Sequence, residues 1–162
     1  MRVDELMTRE VVTVIPEMPL EAVAALLVAR RISGVPVCDP DGTVVGIVSE
    51  RDILYKTLGR EERGGGPLAW FAVGPVSAAV RANARTAGET MSSPALTIEP
   101  SRRAAAAARL MIDRDVDRLP VVEADGTLVG IVTRTDLVRA FASDPDGIPQ
   151  VTDPTVLAAY SR

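Results

Sequence analysis

GVPVCDPDGTVVGIVSERDIL, residues 34–54, decides how this chain is read, because it recurs as RLPVVEADGTLVGIVTRTDLV at residues 118–138. Val35–Cys38 and Thr43–Val48 are apolar, β-rich runs joined by Pro40-Asp41-Gly42. Leu119–Val122 and Thr127–Val132 flank Asp125-Gly126 in the same way. Apolar runs around an Asp-Gly pair signal a β-hairpin. Each hairpin leads into a stretch that reads as a helix, Glu50–Leu58 and Arg134–Phe141.

Outward from the hairpins the repetition continues. A shift of 84 residues lays Val3–Leu54 over Ala87–Val138 without a gap. Of these 52 pairs 18 are identical, among them Glu5/Glu89, Met7/Met91, Thr13/Thr97, Pro16/Pro100 and Asp52/Asp136. Two copies of this length make a duplicated module rather than an array of short units, and each copy is expected to leave an apolar face that its sibling covers. Val11–Ile15 and Ala95–Ile98 read as short strands, each ended near a proline. Leu20, Val23, Ala24 and Leu27 then follow the i, i+3, i+4, i+7 spacing of an amphipathic helix. The counterpart carries Ala104, Ala107, Ala108 and Met111, where the alanine run is a strong helix former with a thin packing face. The order per copy is strand, helix, strand, strand, helix, which predicts a mixed α/β (α+β) fold. The organisation expected is repeat one at 1–58, a linker at 59–86, repeat two at 87–142 and a tail at 143–162.

The linker holds the break Gly64-Gly65-Gly66, an apolar segment Leu68–Val73 with Trp70 and Phe71, and a helical stretch Ser77–Arg85. It is basic, and it reads either as a solvated linker whose aromatics pack on the repeats or as a partner-docking patch. The tail is rich in Asp and Pro, with one turn expected near Val156–Tyr160.

Composition narrows the function. The 162 residues are 47% apolar and 25% charged, as in an ordinary globular protein, with only 3% aromatics for base stacking. The net charge of −4 argues against nucleic-acid or anionic-membrane binding. The chain has no histidine, which removes Ser-His-Asp and Cys-His nucleophile systems and His-liganded metals. A single cysteine, Cys38, excludes an internal disulfide and a Cys-cluster metal site, and it reads as a small buried hydrophobe. No run of 18 apolar residues offers a membrane span, and Met1–Glu10 lacks an apolar signal region. The location expected is therefore the cytoplasm. With no activated nucleophile or pair of catalytic carboxylates, an enzyme is not expected.

Gly34-Val35-Pro36-Val37, Asp41-Gly42 and Gly46-Ile47-Val48-Ser49-Glu50-Arg51-Asp52-Ile53 resemble a cystathionine-β-synthase (CBS) domain. Arg118-Leu119-Pro120-Val121, Asp125-Gly126 and Gly130-Ile131-Val132-Thr133-Arg134-Thr135-Asp136-Leu137 resemble a second, and the tandem is similar to a CBS pair, or Bateman module. The resemblance implies a pseudo-symmetric disc with two clefts between the copies. It implies an adenosine-type ligand, AMP or ATP above all and in some relatives S-adenosylmethionine, with no catalytic cofactor. It also implies a homodimer and, for a stand-alone pair, output through a protein effector not identified by the sequence. Leu26, Leu27, Leu54, Leu110, Met111 and Val138 are the expected self-association faces. The alternative is a CBS scaffold that associates with proteins and takes no ligand.

Ser49-x-x-Asp52 and Thr133-x-x-Asp136 stand where a strand turns into a helix. A carboxylate there can accept both hydroxyl protons of a ribose diol, and the helix N-terminus offers N–H groups to an anion. The same spacing is also a capping box. The resemblance places the ribose at these residues and the adenine between Val12, Val14, Leu96 and Ile98, for which core packing is the other reading. Val35, Leu119, Pro120 and Arg134 complete the positions it implies. Pro36 and Pro120 fix the entry to each hairpin. Gly46 and Gly130 permit a close approach by a ligand or by the neighbouring helix. In the regulatory subunit of the AMP-activated kinase a basic residue just before the Leu-Pro contacts nucleotide phosphate; Arg118 matches it, whereas copy one has Gly34 there and carries Arg51 in its Ser-x-x-Asp turn. The expectation is that the cleft of Thr133, Asp136 and Arg118 binds an adenosine phosphate more tightly than that of Ser49, Asp52 and Arg51.

Overall fold

The computed structural model describes residues 1–54 and 86–143. The expected linker segments, with Trp70 and Phe71, and the turn near Val156–Tyr160 lie outside the described residues. After a 3-10 turn at Val3–Glu5, copy one consists of α1 (Leu20–Arg30), β1 (Gly34–Cys38), β2 (Val44–Ser49) and α2, a helix beginning at residue 50 and described to 54. Copy two begins with α3 (Ala87–Thr90) and continues with α4 (Ala104–Asp113), β3 (Arg118–Val122), β4 (Leu128–Thr133) and α5 (Arg134–Ser143).

Both hairpins form in one register. Gly34 faces Ser49 and Val37 faces Gly46 in the first, and Arg118 faces Thr133 and Val121 faces Gly130 in the second, with the same irregularity one residue on. The turns close on Gly42 (φ 83°) and Gly126 (φ 87°), in the left-handed region that glycine enters without steric cost. Asp39 Oδ1 accepts the N–H groups of Asp41 and Thr43 at 3.0 and 2.9 Å. The two turns meet: the Val44 N–H donates to the Gly126 carbonyl, and the Leu128 N–H to that of Gly42, both at 3.4 Å.

The expected strands at 11–15 and 95–98 shrink to one parallel bridge each, Val14 with Val37 and Ile98 with Val121. Val14 donates to the Pro36 carbonyl at 3.1 Å and accepts the Cys38 N–H at 2.9 Å. The next donors in such a parallel ladder are Pro16 on one side and Pro36 on the other, and proline has no N–H to give. Pro100 and Pro120 stop the second ladder likewise.

The copies trade their leading segments. Val3 and Met7 are buried with Ile98, Ala107, Met111, Leu119, Val121 and Val132, the core of copy two. Ala87 is buried with Val14, Val23, Leu27, Val35, Val37 and Val48, the core of copy one, and Met91 packs against it. The exchange is pinned by backbone pairs between Thr8 and Ile131 (2.9 Å both ways) and between Ile47 and Ser92 (3.1 and 2.9 Å). Gly46 and Gly130 accommodate it: a Cβ at either would run into the sulfur of Met91 or Met7. The close approach at these glycines is thus made by the sibling's leading segment.

Leu27 and Met111, expected on self-association faces, are 2% and 1% exposed and fill the cores instead. Each lies on its helix's inward stripe, whereas Val28 and Ile112, one residue further, are 78% and 74% exposed. Among the described residues no helix is long and apolar enough to cross a membrane.

Candidate functional site

Both strand-to-helix junctions are capping boxes. The Ser49 hydroxyl donates to Asp52 Oδ2 at 2.6 Å and accepts the Asp52 N–H at 3.2 Å, while the Ser49 N–H donates to the same Oδ2 at 2.8 Å. At Thr133 and Asp136 the corresponding distances are 2.7, 3.3 and 2.8 Å. Oδ2 of each aspartate is therefore committed to the helix end, and Oδ1 is the oxygen left for other partners. The two aspartates then differ. Asp52 Oδ1 accepts the Ser92 hydroxyl at 3.1 Å, and among the described residues Asp136 Oδ1 accepts none. Ser92 was not singled out by sequence reasoning; its match to Thr8 at the repeat spacing, a second hydroxyl, was the available signal.

Each junction opens into a cavity completed by the other copy. The first, about 930 Å³, is lined by Ser49, Arg51 and Asp52 together with Leu96, Ser92 and Pro94 from copy two. The second, about 570 Å³, is lined by Thr133, Arg134 and Asp136 together with Val12, Thr8 and Gly34 from copy one. Val12 thus belongs to the site of Asp136, and Leu96 to the site of Asp52.

Five expected site residues line neither cavity. Val14, Val35, Ile98 and Leu119 are buried in the two cores, and the Pro120 side chain is fully enclosed. The proline-limited bridges explain this for Val14 and Ile98: the chain is strand-like only where it is buried, and it has turned outward at Val12 and Leu96. Cys38 is also buried, and desolvation, with Asp39 beside it, pushes its thiol pKa up.

Arg118 departs most from expectation. It lines both cavities rather than that of Asp136 alone. The residue is 9% exposed, and its guanidinium donates to the Ser33 hydroxyl at 2.7 Å. Desolvation lowers its pKa, and the carboxylates of Asp117, Glu50 and Asp52 act against that. Two of these three belong to the Ser49–Asp52 junction. Gly34, the residue at the matching position of copy one, is what admits it: a Cβ there would meet the guanidinium itself.

The other two arginines expected at the sites are tied at the rim. Arg51 pairs with Asp115 at 2.8 Å, and Arg134 pairs with Asp117 at 3.0 Å and with Asp115 at 3.7 Å. Hydrogen bonding and charge from Arg51, with a smaller contribution from Arg134, hold the Asp115 carboxyl below its usual range. Among the described residues no group of three or more His, Cys, Asp or Glu is placed to hold a metal ion.

The CBS domain family model matches residues 3–59 and again 87–143. The chain belongs to the CBS domain family. The chloroplastic CBS domain-containing protein CBSX1 of Arabidopsis thaliana is 34% identical over 148 residues, 85% of this chain and 63% of that protein. The crystal structure of CBSX2, also from Arabidopsis thaliana, in complex with AMP superposes with a TM-score of 0.68 at 30% identity, covering 87% of this chain and 96% of that one. The CBS pair of protein MJ0100, in complex with 5'-methylthioadenosine and S-adenosyl-L-methionine, shares the fold with a TM-score of 0.69 at 22% identity, over 88% and 96% of the two chains. This chain spans less than two thirds of the length of CBSX1 and, at 56%, of CBSX2.

Proposed function

We propose that this CBS pair is a regulatory module that binds an adenosine-containing nucleotide, AMP or ATP, in its two cavities and transmits their occupancy to a partner protein. The observation that carries the reading is Asp136: its carboxylate stands at a helix N-terminus inside a cavity with an oxygen to spare for a ribose diol, in the fold that holds AMP in CBSX2. Arg118 and Arg134 supply positive charge for the phosphate. The module acts by binding rather than catalysis, in the cytoplasm, and as a homodimer. Dimerisation has a physical basis in Val28, Leu54, Ile112 and Val138, which are exposed apolar residues at matching positions of the two copies.

A ligand-free scaffold is the second reading, and Asp52 favours it, because both of its oxygens are already hydrogen-bonded within the chain. Thermal melting separates the two readings. A nucleotide at about 100 times its dissociation constant stabilises the fold by ~2.7 kcal/mol, which shifts the melting temperature measurably. A melting temperature unmoved by millimolar AMP, ATP, adenosine and S-adenosylmethionine leaves the scaffold. Light scattering at tens of micromolar tests the dimer, and a monomer mass removes it.

A further inference from the structure

The two cavities share a wall. Ser33, Asp117 and Arg118 line both, and Arg118 is the buried arginine of each, the other lining arginines being exposed. Its position is a consequence of duplication. Residues 34 and 118 occupy matching places in the copies, and the fold brings these two places against each other, so that a Cβ at Gly34 would meet the Arg118 guanidinium where it lies. The chain has a glycine at one place and an arginine at the other. At this matched position a pair of clefts that repetition would furnish with two equivalent groups is furnished with one guanidinium.

We infer that Arg118 is a single cation shared by the two cavities, so that ligands carrying a phosphate occupy them antagonistically while uncharged adenosine occupies them independently. The inference rests on the nucleotide-binding reading above. A guanidinium offers its donors in a fixed plane, and it cannot direct the same N–H groups at anions on opposite sides. Its Ser33 bond is to a neutral hydroxyl, which an ionised phosphate oxygen outcompetes as an acceptor. The first phosphate therefore draws the group to its own side. The second arrives at a cavity without its buried cation, where Asp52 and Glu50, or Asp136 and Glu10, face only the exposed arginines, Arg51 and Arg114 or Arg31, Arg134 and Arg139. A charge-assisted bond is worth about ten- to a hundredfold in affinity, and that is the scale of the expected penalty. The antagonism reaches the regulatory output as a graded response: one AMP binds at low concentration and the second only at much higher concentration.

Calorimetry on the full chain tests this with AMP and adenosine as probes. Unequal affinities alone do not distinguish sharing from two intrinsically different cavities, so the cavity of Asp136 is weakened with Asp136→Ala and the cavity of Asp52 is followed. Sharing predicts that the remaining cavity binds AMP at least about tenfold more tightly than the same cavity does as the weaker step of the wild type. Adenosine shows no such difference. In Arg118→Gln the difference between the two AMP steps falls to that between the two adenosine steps of the same variant. If the glutamine variant does not fold, the contrast between AMP and adenosine in the other proteins decides. AMP in one cavity and adenosine in both is the extreme form of sharing and supports it. Equal AMP affinity with and without the other cavity overturns the inference, as does a penalty that persists in Arg118→Gln, one equally large for adenosine, or single-site binding of both ligands; the nucleotide-binding reading survives each of these. Binding of neither ligand overturns both.

Discussion

The two cavities are built from the same backbone and differ in charge. Their capping boxes agree to within 0.1 Å in every hydrogen bond. Yet the first cavity has Glu50, Asp52, Asp115 and Asp117 against Arg51, Arg114 and Arg118, and the second has Arg31, Arg118, Arg134 and Arg139 against Glu10, Asp117 and Asp136. The sharpest reversal is at one matched position. Arg31 (φ 53°) and Asp115 (φ 50°) both take the left-handed conformation that ends a helix, and they carry opposite charges into opposite cavities. Backbone geometry is held equal by caps, turns and glycines that the two copies share. The electrostatics diverge because a side chain at a cavity rim changes without disturbing that geometry. The expected preference of a nucleotide for the Asp136 cavity thus has a different basis from the one read in the sequence: Arg31 and Arg139 are unique to it, whereas Arg118 is common to both.

Four measurements test how far the likeness of backbone and the difference of charge extend. The largest effect belongs to the symmetric part. Leu27→Ala and Met111→Ala remove matched, fully buried side chains, and each costs about 2–5 kcal/mol of unfolding free energy. Denaturant titration should find the pair similar, and a large disparity would mean that the cores are not equivalent. Next, Asp136→Ala weakens AMP binding by about 10- to 100-fold, and Asp52→Ala does so by less, because Asp52 Oδ1 already holds Ser92. Equal losses by calorimetry would show that the two aspartates are equivalent after all. Third, Ser49→Ala and Thr133→Ala each cost about 1 kcal/mol through the helix cap, so their melting temperatures should fall together. A loss confined to one would contradict the matched geometry. The smallest effect is expected at the rim. Asp115→Ala removes the ion pair with Arg51 and a negative charge, strengthening AMP binding in the first cavity by a few-fold. Because Asp115 is 75% exposed, the gain should fade as salt rises. A gain independent of salt would place the effect elsewhere than in this ion pair.

Local features were legible in the sequence itself. The 84-residue shift exposed the duplication, the Asp-Gly turns located both hairpins, and the Ser/Thr-x-x-Asp spacing located both helix caps, because each depends on residues close together in the chain. Even the exchanged segments left a trace in the identities Glu5/Glu89 and Met7/Met91, whose meaning is now plain: the glutamates accept the N–H of the residue three before them, Arg2 or Thr86, and the methionines fill the space above Gly130 and Gly46.

Which copy each residue serves follows from the packing of the two copies against each other. Val12 and Leu96 cross to the sibling's cavity, Val3 and Ala87 to the sibling's core, and nothing in their own neighbourhoods announces it. The fate of Val14 and Ile98 turned on Pro36 and Pro120, prolines some twenty residues away that cut a ladder from its far side. Arg118 is the clearest case. By sequence it is a cation in copy two and Gly34 is a gap in copy one. Only the packing of one copy against the other makes the gap the space that the cation fills, since burial and contact are properties of residues adjacent in space, while a sequence records adjacency along the chain.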